Sequence, residues 1–288
     1  VKIIAIIASY NEERFIKACL EHYFYHGIYV YLLDNQSTDN TVNIAKTYFD
    51  KNLIGLDIIP RRGKFELKKQ LLAKEKLIDK LEADWFIHAD VDEFRLPPDS
   101  SETLAQAIER VDKKGYNAIN FMEYTFLPVR EFPHHESDDF QNTMRWYYPF
   151  APQHPHRLNA WKKQPLSQWP GFKKTVKELI NNRRCRAASV NLCKNGGHVI
   201  EFNGIRPYPI DFKMRHYLVL SLEHAIQKYV LKSFDSKEAS SMHGWRATAA
   251  ADEFLLPSVE QMRYYQGDDA LDPNNPLKEH LIVQRKTI

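Results

Sequence analysis

Asp90 and Asp92, two residues apart with Glu93 beside them, are the groups in this chain best suited by type and spacing to do chemistry. In extended backbone, side chains at i and i+2 point to the same side. Two such carboxylates repel unless a cation stands between them, and hard divalent ions prefer oxygen ligands of this kind. The spacing therefore points to a Mn²⁺ or Mg²⁺ site, with a solvated acidic turn as the alternative. The run before the acids, Trp85-Phe86-Ile87-His88-Ala89, is short and bulky, as a buried strand is. The carboxylates then fall where that strand leaves its sheet, the edge at which α/β proteins hold ligands.

The elements upstream set up that edge. Lys2 to Ile7 is β-branched and apolar, a central strand, and breaks at Ala8-Ser9-Tyr10-Asn11-Glu12-Glu13. Asn11 is the expected N-cap of a helix running to His26, with Glu12 and Glu13 in its positive first turn and Gly27 stopping it. A strand from Tyr29 to Leu33 ends on Asp34. A polar loop from Asn35 to Thr41 and a helix from Val42 to Tyr48 follow. The cycle repeats as a strand over 54–59, a helix over 64–81 and the strand that leads to Asp90. Such alternation implies right-handed crossovers and a largely parallel sheet, with strand ends near Ala8, Asp34 and Asp90 on one edge. A carboxylate at the second strand end suits ribose or base recognition. Neither G-x-G-x-x-G nor G-x-x-x-x-G-K occurs, so a diphosphate would have to be held by metal and basic side chains.

Three stretches, Ile6-Ile7-Ala8-Ser9-Tyr10-Asn11-Glu12, Asp34-Asn35-Gln36-Ser37-Thr38-Asp39-Asn40-Thr41 and Ala89-Asp90-Val91-Asp92-Glu93-Phe94, resemble in order and placement the motifs of family 2-type glycosyltransferases of the GT-A fold. The resemblance implies an α/β architecture: a Rossmann-like, mostly parallel mixed sheet flanked by helices, with an irregular acceptor-side half. Residues 1–98 would form the nucleotide-sugar-binding half and residues 99–288 the acceptor-binding half of one domain. It also implies a nucleotide-sugar donor, a UDP-sugar being favoured, with Ala8, Tyr10, Asn11, Glu12, Asp34 and Asn35 around the nucleoside. Asp90 and Val91 would meet the diphosphate, and Asp90 and Asp92 would hold the Mn²⁺ or Mg²⁺. Gln36 departs from the family's usual Gly. The helix after Gly63 lacks the usual Ala-Arg-Asn turn, leaving Arg61, Arg62, Lys64 and Lys68 as phosphate contacts or as a solvated face.

In the second half, Asp99 and Glu102 form a weak capping box for a helix over 101–111, and Ala118 to Glu123 is the next strand. Prolines and dense aromatics then loosen the pattern into an acceptor platform or packed core. His134-His135-Glu136, His154 and His156 are metal ligands or structural groups. Asn195-Gly196-Gly197-His198 is expected to turn into a strand. Phe212 to Tyr217 and then Ser221-Leu222-Glu223-His224, opening a helix to about Lys232, complete a pattern that resembles a Gly-Gly-His / His-Tyr subgroup of the same superfamily. There a late His completes the metal shell, a role the resemblance carries to His216; imidazole suits Mn²⁺ better than Ca²⁺. The family's usual base is an Asp in an acidic pair, absent here in its context, so Asp138, Asp139, His198 and Glu201 are the candidates. Inversion at the anomeric carbon is expected, with retention left open by that gap. A nucleotidyltransferase and an inactive carbohydrate- or nucleotide-binding module are the rival readings.

Composition narrows the classes. The 288 residues are 43% hydrophobic and 27% charged, ordinary for a globular protein. No apolar run approaches the ~20 residues of a membrane span. Cys19, Cys185 and Cys193 are too scattered for a disulfide framework, which favours a reducing, cytoplasmic setting. No signal peptide is visible, and a start at Val1 is expected of a fragment. The net charge of +3 hides an asymmetry: Trp161 to Asn195 carries nine Lys or Arg against Glu178 alone. That segment, 161–195, is expected to contact an anionic acceptor or a membrane surface, or to be a solvated face; nucleic acid is not the expected partner. A glycan or glycoconjugate is the expected acceptor.

Overall fold

The computed structural model describes residues 1–61, 63–165, 189–231, 250–267 and 270–283. At its centre is β1 (Ile3–Ser9), every residue of it buried. Its side chains alternate between two cores, as period-two geometry requires. Ile3, Ala5 and Ile7 join one apolar cluster with Phe15, Trp85 and Phe121, while Ile4 and Ile6 join another with Phe86, Trp161 and Leu71. A strand buried on both faces needs helices above and below. α1 (Ile16–Tyr25) covers the first face, and α3 (Leu67–Lys80) covers the second.

Three strands flank β1 in parallel: β2 (Tyr29–Asp34), β3 (Leu53–Ile58) beyond it, and β4 (Trp85–Asp90) on the other side. α2 (Thr41–Lys46) links β2 to β3. Past β4 the sheet turns antiparallel through β8 (Leu158–Lys162) and β6 (Ala118–Phe126), then β7 (Trp146–Phe150) and β10 (Arg263–Tyr264). β9 (Phe212–Tyr217) runs parallel to β6 and pairs antiparallel with β5 (Glu93–Leu96). The mixed α/β architecture is the one the GT-A resemblance implied. α4 (Leu104–Lys113), α5 (Phe140–Thr143) and α6 (Leu222–Tyr229) complete the described helices of the regular type. Among the described residues, no helix is long and apolar enough to cross a membrane.

Several boundaries differ from expectation for physical reasons. Asn11 is not an N-cap. Its φ of +54° takes it out of the helical region, and its Oδ1 accepts from the Thr38 backbone N–H at 2.8 Å. Asn11 N–H donates to Ser37 Oγ at 2.9 Å, and Glu12 N–H to Thr41 Oγ1 at 2.8 Å, so this stretch ties the loops after β1 and β2 together. α4 is capped by Thr103 with Gln106, while Glu102 pairs with Arg110 instead. The turn at 195–198 leads to a single bridge between Asn191 and Glu201 rather than to a strand. β7 and β8 escaped the sequence reading because Pro149 sits inside β7 and turn-forming residues surround both strands.

Candidate active site

Register brings the three motif-bearing strand ends together. Ser9 lies opposite Asp34, and Ala8 opposite Asp90. Two adjoining cavities open there, both lined by Tyr10, Arg61 and Lys228. The first also meets Ala8, Glu12, Asp90, Val91 and His198; Asn11 and Gln36 line the second.

One wall is a ring and a cation. The Arg61 guanidinium lies 3.6 Å over the Tyr10 ring, its backbone N–H donates to Gln36 Oε1 at 2.7 Å, and its Nη1 donates to Asn35 Oδ1 at 3.2 Å. Asn35 is buried and also donates to the Ile59 carbonyl at 3.0 Å. Asp34 is fully buried, and its carboxylate accepts from Ser9 Oγ (3.0 Å), Ser37 Oγ (2.5 Å) and the Ser37 N–H (2.8 Å). With those bonds it holds the loop in shape and does not face the cleft. The contact to a nucleoside expected of Asp34 thus gives way to an anchoring role.

The floor is a buried network of acids and bases. Asp92 Oδ2 accepts from Lys228 Nζ at 2.5 Å and lies 3.4 Å from His216 Nε2. His216 Nδ1 donates to Glu123 Oε1 at 2.6 Å. Arg157 Nε donates to Glu123 Oε2 at 2.7 Å, and its Nη1 lies 3.4 Å from Glu93 Oε1. Glu93 Oε2 accepts from Arg95 Nη2 at 2.9 Å. Burial alone would push His216 down, but the Glu123 and Asp92 carboxylates raise it to about 9. Burial would likewise raise Asp92; the Lys228 ammonium and then His216 hold it well below the ordinary carboxylate range. Glu123 is held low by Arg157 and His216 against the same burial.

Behind the floor, Lys74 of α3 is fully buried. Its Nζ donates to His88 Nδ1 at 3.0 Å and to the Ala89 carbonyl at 2.9 Å, and lies 4.0 Å from Asp90. Burial lowers Lys74 to about 8, and burial followed by the Lys74 charge keeps His88 far below its usual value. Gly197 packs against that locked ring. A Cβ there would sit 2.5 Å from His88 Nε2, on a backbone with φ +84°. Gly197→Ala is therefore expected to cost about 1–3 kcal/mol, the range for a strained backbone position. Urea unfolding measures it; a change below half that range would mean His88 can move aside.

The base candidates separate. His198 lines the cleft, and its Nδ1 must accept from Arg157 Nη1 at 2.9 Å, because guanidinium is only a donor. That leaves Nε2 as the N–H of a neutral ring, a hydrogen-bond donor, and engages the Nδ1 lone pair that a base would need. Asp138 is an exposed partner of Lys17 at 2.6 Å, Asp139 accepts from Asn142 Nδ2, and Glu201 pairs with Lys194 at 2.8 Å. None of the three lines the cleft, which corrects the expectation that they act there. Lys68 does not line it either; its carbonyl faces Cys193. Arg62 and residues 166–188 of the basic segment lie outside the described residues. His135 bonds Thr143 and the Phe132 carbonyl, His154 meets Asp211 at the surface, and His156 meets Glu123 in the interior; none of the three lines the cleft.

The donor set can be tested against a divalent ion. Such an ion takes six or more oxygens, or carboxylates with imidazole, each offering a lone pair. Here Asp92 is already neutralised from two sides, and His216 has both nitrogens turned to carboxylates. Asp90, with 55% of its side chain exposed, is the accessible member of the pair. Among the described residues, no three His, Cys, Asp or Glu side chains are grouped to hold a metal. The set of Asp90, Asp92 and His216 therefore does not fit the ion that the spacing predicted.

The family model described as "Glycosyl transferase family 2" matches residues 4–163. The chain belongs to this family. No curated protein matches it. Among solved structures, a S. aureus TarS chain spanning 1–349 is similar at 15% identity over 75% of this chain and 60% of that chain, with a TM-score of 0.40. The same protein in complex with UDP-GlcNAc matches at 14% identity over 75% of this chain and 58% of that one, with a TM-score of 0.38. An apo UDP-glucose pyrophosphorylase matches at 12% identity over 79% and 96%, with a TM-score of 0.34. The chain spans three fifths or less of the TarS structures it matches. The family match ends near β8, so β9 and α6, which carry His216 and Lys228, lie beyond it.

Proposed function

We propose that this family 2 chain transfers a sugar from a nucleoside-diphosphate donor, a UDP-sugar being favoured, to a hydroxyl of a glycan or related acceptor, with inversion. The observation that carries the reading is the shared wall of the two cavities. Tyr10, with the Arg61 guanidinium stacked on its ring, and Lys228 line both cavities at the strand-end edge, a π surface and two cations complementary to a base followed by a diphosphate. The TarS complexes hold UDP and UDP-GlcNAc, ligands of that chemistry. Residues 1–98 are assigned to the donor and residues 99–288 to the acceptor, in the Gly-Gly-His / His-Tyr subgroup. A role in polysaccharide biosynthesis, a cytoplasmic location and acceptor or membrane contact through 161–195 complete the proposal. No base is assigned, because the candidate carboxylates lie off the cleft.

Titration calorimetry with UDP, GDP, CDP and ADP tests the donor site, and release of nucleoside diphosphate from the matching nucleotide-sugar tests transfer. One diphosphate is expected to bind, and Tyr10→Ala to weaken it about tenfold, the size of one base–ring stack. A protein that binds none of the four, or a Tyr10→Ala variant that binds like the wild type, would remove the basis for this reading.

A further inference from the structure

We infer that Lys228 is a built-in cation for the donor diphosphate, standing where a divalent metal was expected, so that nucleoside-diphosphate binding needs no added metal. The inference rests on the donor-site reading above and concerns how that site balances charge.

Position comes first. Lys228 lies in the last turn of α6, and its side chain borders both cavities beside Tyr10 and Arg61. An ammonium carries three N–H donors. Among the described residues, two are given to Asp92 Oδ2 at 2.5 Å and the Leu218 carbonyl at 2.9 Å, which fixes Nζ and leaves a donor for a phosphate oxygen. The Arg61 guanidinium, which lines both cavities as well, supplies a second positive group. Lysine and arginine clamps stabilise charge on phosphoryl groups as a metal does.

The lysine is also hard to displace. Its side chain is 12% exposed and that of Asp92 is 10% exposed, so separating them leaves buried charges without partners. His216 holds Asp92 from the other side and is itself held by Glu123. The helix cannot easily swing away, because Ser221 caps it through the His224 N–H and donates from its own hydroxyl to Glu136, which is paired in turn with Arg14. A metal would have to break this set to gain Asp92 and would still lack a third protein ligand. The acid pair is thus present while the cation it gathers is part of the chain. Asp92 serves as the counter-ion that aims Lys228, and Asp90 is left to face the ligand.

Calorimetry decides this on the whole chain. Titrations of UDP, GDP, CDP and ADP are run in excess EDTA and again in Mn²⁺. The diphosphate that binds is expected to do so in EDTA, within about threefold of its affinity in Mn²⁺, well under the tenfold step that 1.4 kcal/mol represents. Lys228→Ala is expected to weaken that diphosphate at least about tenfold while leaving the corresponding nucleoside within about twofold, and Lys228→Arg to retain most of the affinity. Binding that requires Mn²⁺ in the wild type overturns the inference and leaves the donor site standing; so does wild-type affinity in Lys228→Ala. Absence of binding to all four, with and without metal, overturns the donor reading itself and this inference with it. The wild-type comparison stands even if the alanine variant does not fold.

Discussion

Glu123→Ala is expected to lower the free energy of unfolding by about 3–5 kcal/mol, the range for removing one partner from a buried ion pair. Glu123 is fully buried in β6 and is the group on which His216, Arg157 and His156 converge. Truncation leaves a guanidinium and an imidazolium in the interior without their shared, closest carboxylate, Glu93 and Asp92 remaining at 3.4 Å. Against a total of about 5–15 kcal/mol for a domain, the variant would be marginal. Glu123→Gln keeps the volume and one acceptor and should cost less, which separates lost charge from lost packing. Urea unfolding followed by tryptophan fluorescence measures both variants. A cost under about 1 kcal/mol for the alanine variant, the level of a surface pair, would mean that water reaches this network.

The second large effect is on pH. His216 has a folded pKa of about 9, against about 6.5 for a free imidazole. A raised folded pKa stabilises the native state fully below the unfolded value, and that stabilisation is lost as pH climbs through the folded one. The window is therefore about pH 6.5 to 9, and 1.36 kcal/mol per unit gives an upper bound of about 3.4 kcal/mol. Lys74 acts in the opposite sense. Its folded pKa of about 8 lies below its free value, so its penalty is relieved as pH rises above 8. The raw profile mixes the two groups, and the difference between wild type and His216→Gln isolates the imidazole. That difference should shrink across the window, by at most roughly 3 kcal/mol. A difference that stays flat would mean the ring is neutral throughout and the carboxylates on either side do not hold a proton on it.

What could be read in the chain beforehand follows the range of the interactions involved. β1, β2 and β4 announce themselves as apolar runs closed by polar stops, and the acids at their ends were found because they are neighbours in sequence. Local rules erred where side chains bond across loops. Asn11 has the type and place of an N-cap, yet its amide is used by Thr38 after the next strand. Thr103 was passed over for Asp99 because both start the same spacing pattern. The site's electrostatics were hidden for the same reason. Nothing near Glu123 says that it will meet His216, although a lone carboxylate amid Ile119, Phe121 and Phe126 was a signal of a buried pair. Arg61 was legible only as one of several basic residues, and its selection came from the Tyr10 ring. Lys228 falls unnamed inside the helix expected to run to about Lys232, and its partner Asp92 lies 136 residues away.

That separation has a consequence for biosynthesis. At about 5–20 residues per second, the ribosome delivers Lys228 on the order of ten seconds after Asp92. During that interval the nascent amino-terminal half holds a cluster of acids whose balancing cations from β9 and α6 are still unmade, and β5 has no partner along its open side. The early sheet can condense around β1, but its acid-bearing edge must wait, solvated and repelling itself, for the late strand to arrive. Assembly of this edge is thus directional in time, and the carboxyl-terminal portion acts as the keystone that locks it.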